Sequence, residues 1–143
     1  MSKSDLHNSI KAVKAIAPVV VTDTTAQVSS IIDRAGFESV EFLIVTGTLA
    51  DSDATFAVLV EDGDDASLTD AAEVTNAQFL LGTEAIANFD KDSDNKVIKI
   101  GYVGPKRYVR LTVTPALNSG NAPLAAIAVL GQPRSLPQST QEV

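Results

Sequence analysis

The chain of 143 residues contains no cysteine and no tryptophan. The missing cysteine excludes a disulfide framework, thiolate metal ligands and thiol catalysis. Aromatic residues make up only 5% of the chain, which argues against a sugar-binding surface, because such surfaces depend on exposed aromatic rings. The only histidine, His7, lies in a polar N-terminal segment, where we expect no buried carboxylate to orient it for Ser-His-Asp catalysis.

Long apolar runs and nucleotide-binding motifs are missing as well. The apolar run LAAIAVL at Leu124–Leu130 is far shorter than the ~20 residues that cross a bilayer, so we expect no membrane partner. No glycine-rich phosphate-binding motif is present. The net charge is −7, and such a surface repels a phosphate backbone, so we expect no nucleic-acid partner. The same acidity favours solubility and attraction to a basic surface.

What the sequence does contain is a regular series of strand-forming segments. They are short, rich in Val, Ile, Thr, Phe and Tyr, and separated by clusters of Gly, Asp, Asn, Ser and Pro. This rhythm is typical of an all-β sandwich or barrel, and we predict an antiparallel β-sandwich of about eight strands with little helix. The predicted strands are Pro18–Thr22, Val28–Asp33, Ser39–Gly47, Ala54–Glu61, Ala77–Thr83, Lys96–Val103, Lys106–Thr114 and Leu124–Gly131.

The polar ends of the chain set the predicted domain boundaries. We predict a β-sandwich domain over residues 17–131, an N-terminal polar arm over residues 1–16 and a C-terminal polar tail over residues 132–143. A chain of this length suits a single core. Polar ends of this kind usually fray, or become ordered on a neighbouring molecule in an assembly.

The clearest local unit surrounds Gly104-Pro105, which is a strong turn signal between two alternating runs. Ile98 and Ile100 share one face of the run before the turn, and Val109 and Leu111 share one face of the run after it. We therefore predict that the two runs form a hairpin with one buried face and one wet face.

Two other strands carry apolar residues on both faces. In VEFLIVT, Phe42 and Ile44 point one way while Leu43 and Val45 point the other, and TFAVLV after Ala54 shows the same pattern. An antiparallel strand with two apolar faces needs a cover on its second face. A loop or another subunit can supply that cover, and we favour a subunit or partner.

The segment FDKDSDNKV spaces Asp90, Asp92 and Asp94 in the way that opens a calcium loop of the EF-hand kind. The bidentate glutamate required at position twelve is missing, because Gly101 occupies that position. A strand pattern also follows where a helix is required. We therefore predict an acidic hairpin loop, with a weak calcium site as the alternative.

A second acidic motif, DSDAT, places Asp51 and Asp53 in the D-x-D-x-T spacing of haloacid-dehalogenase-type phosphatases. Their nucleophile and acid/base stand at the end of a buried parallel strand, whereas this copy leads into another strand pattern. We therefore predict a loop between antiparallel strands, with no catalytic residue, no cofactor and no enzymatic activity in the chain.

One concentration of basic residues stands out in this acidic chain. Lys106, Arg107 and Arg110 surround Tyr108, and together they are our candidates for contact with an acidic partner. The alternative is that they line the wet face of a strand, since long basic side chains often cover apolar surface there.

Much of the chain, from about Val28 to Leu130, resembles the small capsid decoration (cement) proteins of tailed bacteriophages. The blocks GTLADSDATFAVLVEDGDD and IGYVGPKRYVRL carry most of this resemblance. The resemblance implies a jelly-roll-like β-sandwich on the outer face of an icosahedral shell, where it bridges neighbouring capsomers. It carries no motif of single functional residues.

The expected function is therefore a structural virion protein that binds the major capsid protein and stabilises the shell. The resemblance further implies self-association, as a homodimer or a homotrimer, of which we favour the homodimer. It implies assembly in the cytoplasm of an infected bacterium and a final place on the capsid exterior. The alternative function is a β-sandwich module that binds a carbohydrate or a host surface and holds calcium weakly at Asp90, Asp92 and Asp94.

Overall fold

The computed structural model describes residues 5–137. Eleven strands and one short helix form in this part of the chain, together with two short 3-10 turns at His7–Ser9 and Lys91–Ser93. The elements are β1 (Lys11–Val21), β2 (Gln27–Val28), β3 (Ile32–Asp33), β4 (Phe37–Thr46), β5 (Thr55–Gly63), β6 (Ala72–Glu73), β7 (Leu80–Leu81), α1 (Glu84–Ala87), β8 (Phe89–Asp90), β9 (Val97–Tyr102), β10 (Tyr108–Ala116) and β11 (Ala122–Pro133).

The strands form two antiparallel sheets that face each other. The first sheet has the order β1-β11-β4-β9-β7. The second has the order β2-β10-β5-β6, with β3 paired to β10 and β8 paired to β5 at the strand ends. The predicted antiparallel β-sandwich is thus confirmed. The strand number exceeds the expected eight because several segments form only two-residue pairings.

The core lies between the two sheets and follows the two-residue period of the strands. In β4, the alternate residues Val40, Phe42 and Ile44 are buried, and in β10 Val109 and Leu111 are buried in the same way. Each such side chain contributes about 1.5–3 kcal/mol to the free energy of folding when it leaves water. The sandwich therefore follows from alternation that the sequence already shows.

The predicted hairpin around Gly104-Pro105 is wrong. β9 pairs with β4 and β7 in the first sheet, whereas β10 pairs with β2, β3 and β5 in the second. The segment from Val103 to Arg107 therefore crosses from one sheet to the other. Both flanking runs still have one buried face, because strands on opposite sides of a sandwich alternate in the same way as the two strands of a hairpin.

The crossover is held by the buried side chain of Tyr102. Its hydroxyl donates a hydrogen bond to Asp62 Oδ2 at 2.6 Å and accepts one from the Lys106 backbone N–H at 3.1 Å. Arg34 donates to the carbonyl of Gly104 at 2.6 Å, and its guanidinium lies 5.7 Å from the centre of the Tyr102 ring. A Cβ on Gly104 would lie 2.5 Å from the Tyr102 hydroxyl oxygen. Only glycine fits there.

The open edge of β5 is closed by side chains as well as by strands. β6 and β8 pair with its two ends. Between them the Val60 N–H donates to Glu84 Oε1 and the Val58 N–H donates to Asn88 Oδ1, both at 2.7 Å. The strand predicted at Ala77–Thr83 is reduced to β7, which pairs with β9 in the first sheet, and α1 follows it. A closed edge discourages pairing with other chains.

The ends of the domain differ from the predicted boundaries. β1 begins at Lys11 and pairs with β11 from there, so part of the predicted arm over residues 1–16 belongs to the sheet. β11 continues to Pro133, and residues 138–143 of the predicted tail lie outside the described residues. Within residues 5–137, no helix has the length and apolar character needed to cross a membrane.

Substitution of Tyr102 by Phe tests the crossover contact. Loss of the hydroxyl leaves Asp62 Oδ2 and the Lys106 N–H without this partner, so we expect Tyr102→Phe to lower the free energy of unfolding by about 1–3 kcal/mol in urea titrations. The matched control is Tyr108→Phe, since Tyr108 is the other tyrosine of the chain and lies on an outer face. We expect the control to stay within about 0.5 kcal/mol of wild type. Equal effects of the two substitutions would contradict the role assigned to Tyr102.

Candidate binding surfaces

The outer face of the first sheet is largely apolar. Ile127 lies opposite Leu43 in the strand register, and Ala125 and Val97 flank Val45 on either side. Val45, Val97 and Ile127 are 41%, 62% and 40% exposed. We call this surface the apolar face, and its apolar members are Val20, Leu43, Val45, Val97, Pro123, Ala125, Ile127 and Val129.

The apolar face confirms the two-sided pattern expected of β4. Phe42 and Ile44 are buried in the core, whereas Leu43 is half-buried and Val45 is exposed. On the outer face of β5, Leu59 is half-buried and Ala57 is exposed. In the single chain the outer face of β4 therefore remains open, and its coverage by a subunit or partner stays a prediction.

Three charged residues occupy paired positions on the apolar face: Lys14, Lys99 and Glu41. Lys14 and Lys99 lie at the two ends of the row that contains Ile127 and Leu43. Burial raises the pKa of the Glu41 carboxyl above its usual value, against the opposing attraction of Lys99. This balance of two lysines and one glutamate contrasts with the net charge of −7 of the whole chain.

The outer face of the second sheet is polar. In the strand register Arg110 lies opposite Glu61, and Thr112 lies opposite Leu59. The Arg110 Nη2 donates to Glu61 Oε1 at 2.9 Å, and both side chains are mostly shielded from solvent. The buried Nε of Arg110 has no hydrogen-bond partner in the described part of the chain. We call this surface the polar face, and its members are Tyr108, Arg110, Thr112, Thr114, Ala57, Leu59 and Glu61.

The four predicted partner-contact residues divide between two places. Tyr108 and Arg110 lie on the polar face, whereas Lys106 and Arg107 lie in the crossover. Each of the three cations forms an ion pair within the chain, since Lys106 bonds to Asp64, Arg107 to Asp33 and Arg110 to Glu61. Arg107 also stacks over the Tyr108 ring. They are held by the fold, and their contact with a partner stays a prediction.

Two of the three aspartate carboxylates of FDKDSDNKV, those of Asp90 and Asp94, hold the loop itself. Asp90 Oδ1 accepts from the Asp92 N–H at 2.9 Å, and Asp94 Oδ1 accepts from the Leu49 N–H at 2.8 Å. Residues 5–137 contain no group of three acidic or histidine side chains placed to hold a metal ion. The predicted hairpin loop is also wrong in its topology, because this segment connects β8 in the second sheet with β9 in the first.

Asp51 of the phosphatase-like motif likewise serves a local turn. Its carboxylate accepts from the Asp53 N–H at 2.9 Å and from the Ser119 N–H at 2.8 Å, and these bonds lower the pKa of the Asp51 carboxyl. As predicted, the motif lies in a loop between two strands; the loop runs from β4 in the first sheet to β5 in the second. His7 is exposed in the short 3-10 turn His7–Ser9.

A cavity that the sequence did not indicate lies beside the crossover. Its volume is about 240 Å³, and three arginines line it. We call it the arginine pocket, and its lining residues are Arg34, Ala35, Gly36, Phe37, Pro105, Arg107 and Arg134. Arg34 and Arg134 are 100 positions apart in the chain, so no local motif could reveal their convergence.

The raised pKa of Glu41 leads to a prediction for stability against pH. A carboxyl whose pKa is raised by folding contributes stability that is present below its ordinary pKa of 4.5 and is lost as the pH rises through the folded value. We therefore expect wild type to lose stability relative to Glu41→Gln as the pH rises from 4 towards 7, measured as the difference in melting temperature.

The matched control is Glu38→Gln, because the hydrogen bond from Arg134 lowers the pKa of the Glu38 carboxyl. Its contribution is present above the ordinary pKa and is lost as the pH falls. The two variants should therefore show opposite trends relative to wild type. Parallel melting curves for both variants would show that Glu41 is not desolvated on the apolar face.

Comparison with known proteins shows a similarity in fold to solved structures. No protein-family model and no curated protein matches the chain. A similar solved structure is that of the CBM22-1–GH10 modules of the N-terminal endo-1,4-beta-D-xylanase 10B of Clostridium thermocellum, complexed with xylohexaose. It has a TM-score of 0.52 and 11% identity, and the match covers 93% of this chain and 28% of that chain.

A second solved structure is the C-terminal family 22 carbohydrate-binding module of the same xylanase. Its TM-score is 0.40 at 12% identity, over 92% of this chain and 91% of that chain, so its fold is less similar to this chain than that of the first structure. This chain spans little more than a quarter of the first structure. The described residues thus form a β-sandwich similar in fold to a xylanase structure that includes a carbohydrate-binding module.

Proposed function

We propose that this chain is a non-catalytic binding module that attaches to an ordered protein surface through its apolar face, as a capsid decoration protein does. The observation that carries the proposal is the uncovered cluster of Leu43, Val45, Val97 and Ile127 on a sheet whose other face already covers the core. Exposed apolar surface gathered in one place commonly marks a protein interaction site.

The size of the apolar face favours many weak contacts over one strong contact. Four strands at about 4.8 Å spacing and four rows of outward residues about 7 Å apart cover roughly 540 Å². A standard stable interface buries about 800 Å² on each partner. A smaller contact is weak singly but becomes strong when repeated over a lattice or supported by a second contact. A shell of identical capsid subunits offers such repetition.

The charges around the apolar face favour a partner over a second copy of the chain. Two copies packed face to face would bring Lys14 and Lys99 of one chain towards the same lysines of the other. An apolar patch with an acidic rim, in contrast, would complement both lysines. We therefore assign the face to the major capsid protein on the shell exterior, and the homo-oligomer expected from the resemblance would use another surface.

Co-sedimentation with expanded, undecorated shells of the corresponding virus tests the proposal. We expect wild type to pellet at a fixed ratio to the major capsid protein. Val97→Lys should weaken pelleting at least about tenfold, because a buried unpaired ammonium is costly. The control is Val28→Lys, which changes a valine of similar exposure on the second sheet and should leave pelleting unchanged.

Equal pelleting by all three proteins would contradict use of the apolar face, and no pelleting by wild type would contradict the decoration function. Sedimentation velocity of the isolated protein tests whether a second copy of the chain occupies the apolar face. A dimer that Val97→Lys dissociates and Val28→Lys preserves would show that a second copy occupies the face.

Carbohydrate binding is the second candidate function, and the comparisons favour it over capsid attachment. The similar structure of higher TM-score contains a carbohydrate-binding module and is complexed with xylohexaose, and neither reported structure is a capsid protein. On this chain the polar face has suitable groups, since Tyr108 offers a ring and Arg110, Glu61 and the exposed Thr114 offer hydrogen-bonding groups. Sugar binding on the polar face is disfavoured because Tyr108 is the only aromatic residue among the members of this face.

Calorimetric titration with xylohexaose tests this second candidate function. If it holds, wild type should bind and Tyr108→Ala should lose binding about tenfold or more, because base or sugar rings stacked on an aromatic side chain contribute about 1–3 kcal/mol. Asp92→Ala serves as the control and also tests calcium dependence. The absence of heat with wild type, with and without calcium, would exclude this function for xylan-type sugars.

A further inference from the structure

We propose that the arginine pocket is an oxyanion-binding site that takes the carboxylate or phosphate group of a small anion. The site is independent of the apolar face, with which it shares no residue. Three guanidinium groups, those of Arg34, Arg107 and Arg134, line one cavity in a chain whose net charge is −7. A planar guanidinium fork matches the geometry of carboxylate and phosphate oxygens.

The charges of the arginine pocket do not balance. Arg107 forms a two-bond ion pair with Asp33, in which both distances are 2.9 Å, and Arg134 bonds to Glu38 at 2.8 Å. Arg34, in contrast, makes no ion pair with a carboxylate among the described residues, and its hydrogen bonds go to backbone carbonyls. Three cations with two anions leave an excess positive charge, which a bound anion would neutralise.

Two of the three arginines, Arg34 and Arg107, are held in place before any anion binds. Arg34 donates to the carbonyls of Lys106, Phe37 and Gly104, so it joins the turn before β4 to the crossover. Its guanidinium lies against the Tyr102 ring. The Arg107 guanidinium is likewise held 5.1 Å from the centre of the Tyr108 ring. Such pre-organisation reduces the entropy lost on binding.

Hydrogen-bond donors remain available in the arginine pocket. A guanidinium has five N–H groups. The described residues engage three nitrogens of Arg34, two of Arg107 and one of Arg134. Each arginine therefore keeps N–H groups for an additional acceptor, and those of Arg134 are the most numerous and the most exposed.

The shape of the arginine pocket suits a small group. Gly36 adopts φ +88°, and a Cβ there would meet no atom within 4 Å, so this wall of the cavity is open. A volume of about 240 Å³ holds one carboxylate- or phosphate-bearing group rather than a folded surface. Arg134 reaches the cavity from the end of β11, where its backbone N–H donates to the Gly36 carbonyl at 2.8 Å.

Thermal unfolding and calorimetric titration with inorganic phosphate and with citrate, at ionic strength held constant with chloride, test the site. We expect saturable stabilisation of wild type by at least one of the two anions. Arg134→Gln should weaken binding about tenfold, because it removes a charge-assisted donor. This substitution affects an exposed ion pair, so the fold should persist. Lys91→Gln, which removes an exposed cation outside the pocket, is the control for net charge and should bind as wild type does.

Glu38→Gln provides a variant with the opposite expected effect. It removes the carboxylate that competes for Arg134, so we expect tighter anion binding than in wild type. A response to citrate alone would identify a carboxylate site, and a response to phosphate alone a phosphate site. Wild type that responds no more than Arg134→Gln, or equal losses in Arg134→Gln and Lys91→Gln, would overturn the proposal. None of these outcomes depends on binding to capsid shells or to sugars.

Discussion

The hydroxyl of Tyr102 stands where the chain passes from β9 in the first sheet to β10 in the second, and this crossover depends on the hydrogen bonds of that hydroxyl. It donates to Asp62 on the second sheet and accepts from the Lys106 N–H in the crossover. Burial and the bond to Asp62 raise the pKa of Tyr102, so the hydroxyl keeps its proton. Because a neutral buried donor needs a partner, the two sheets are held in one relative position at this end.

The same contact organises the arginine pocket. Arg34 packs over the Tyr102 ring and donates hydrogen bonds to the Gly104 and Lys106 carbonyls. Arg107, one residue further, is placed where its guanidinium meets Asp33. Basic residues that look like a surface patch in the sequence thus become structural partners, and a cavity with excess positive charge forms between them.

The two outer faces divide the surface by chemistry. The first sheet presents the apolar face with two lysines and one desolvated glutamate, while the acidic loops around Asp64, Asp70 and Asp92 lie elsewhere. Repulsion among acidic surfaces hinders random association of the chains, and the side-chain bonds along β5 close one sheet edge. Together these features suit a module that remains dispersed until it meets a complementary surface.

The sequence by itself determined the strands and their inward faces, because alternation such as Val40, Phe42 and Ile44 is a local property with a period of two. It also indicated the second apolar face of β4 through Leu43 and Val45. Only the tertiary structure decided which strands pair. The runs around Gly104 alternate equally well as a hairpin or as a crossover, and the crossover is held by distant contacts such as the bond from Arg34 to Gly104, 70 positions away. Contacts of that separation leave no local pattern in a single sequence, which is why the arginine pocket appeared only in the folded chain.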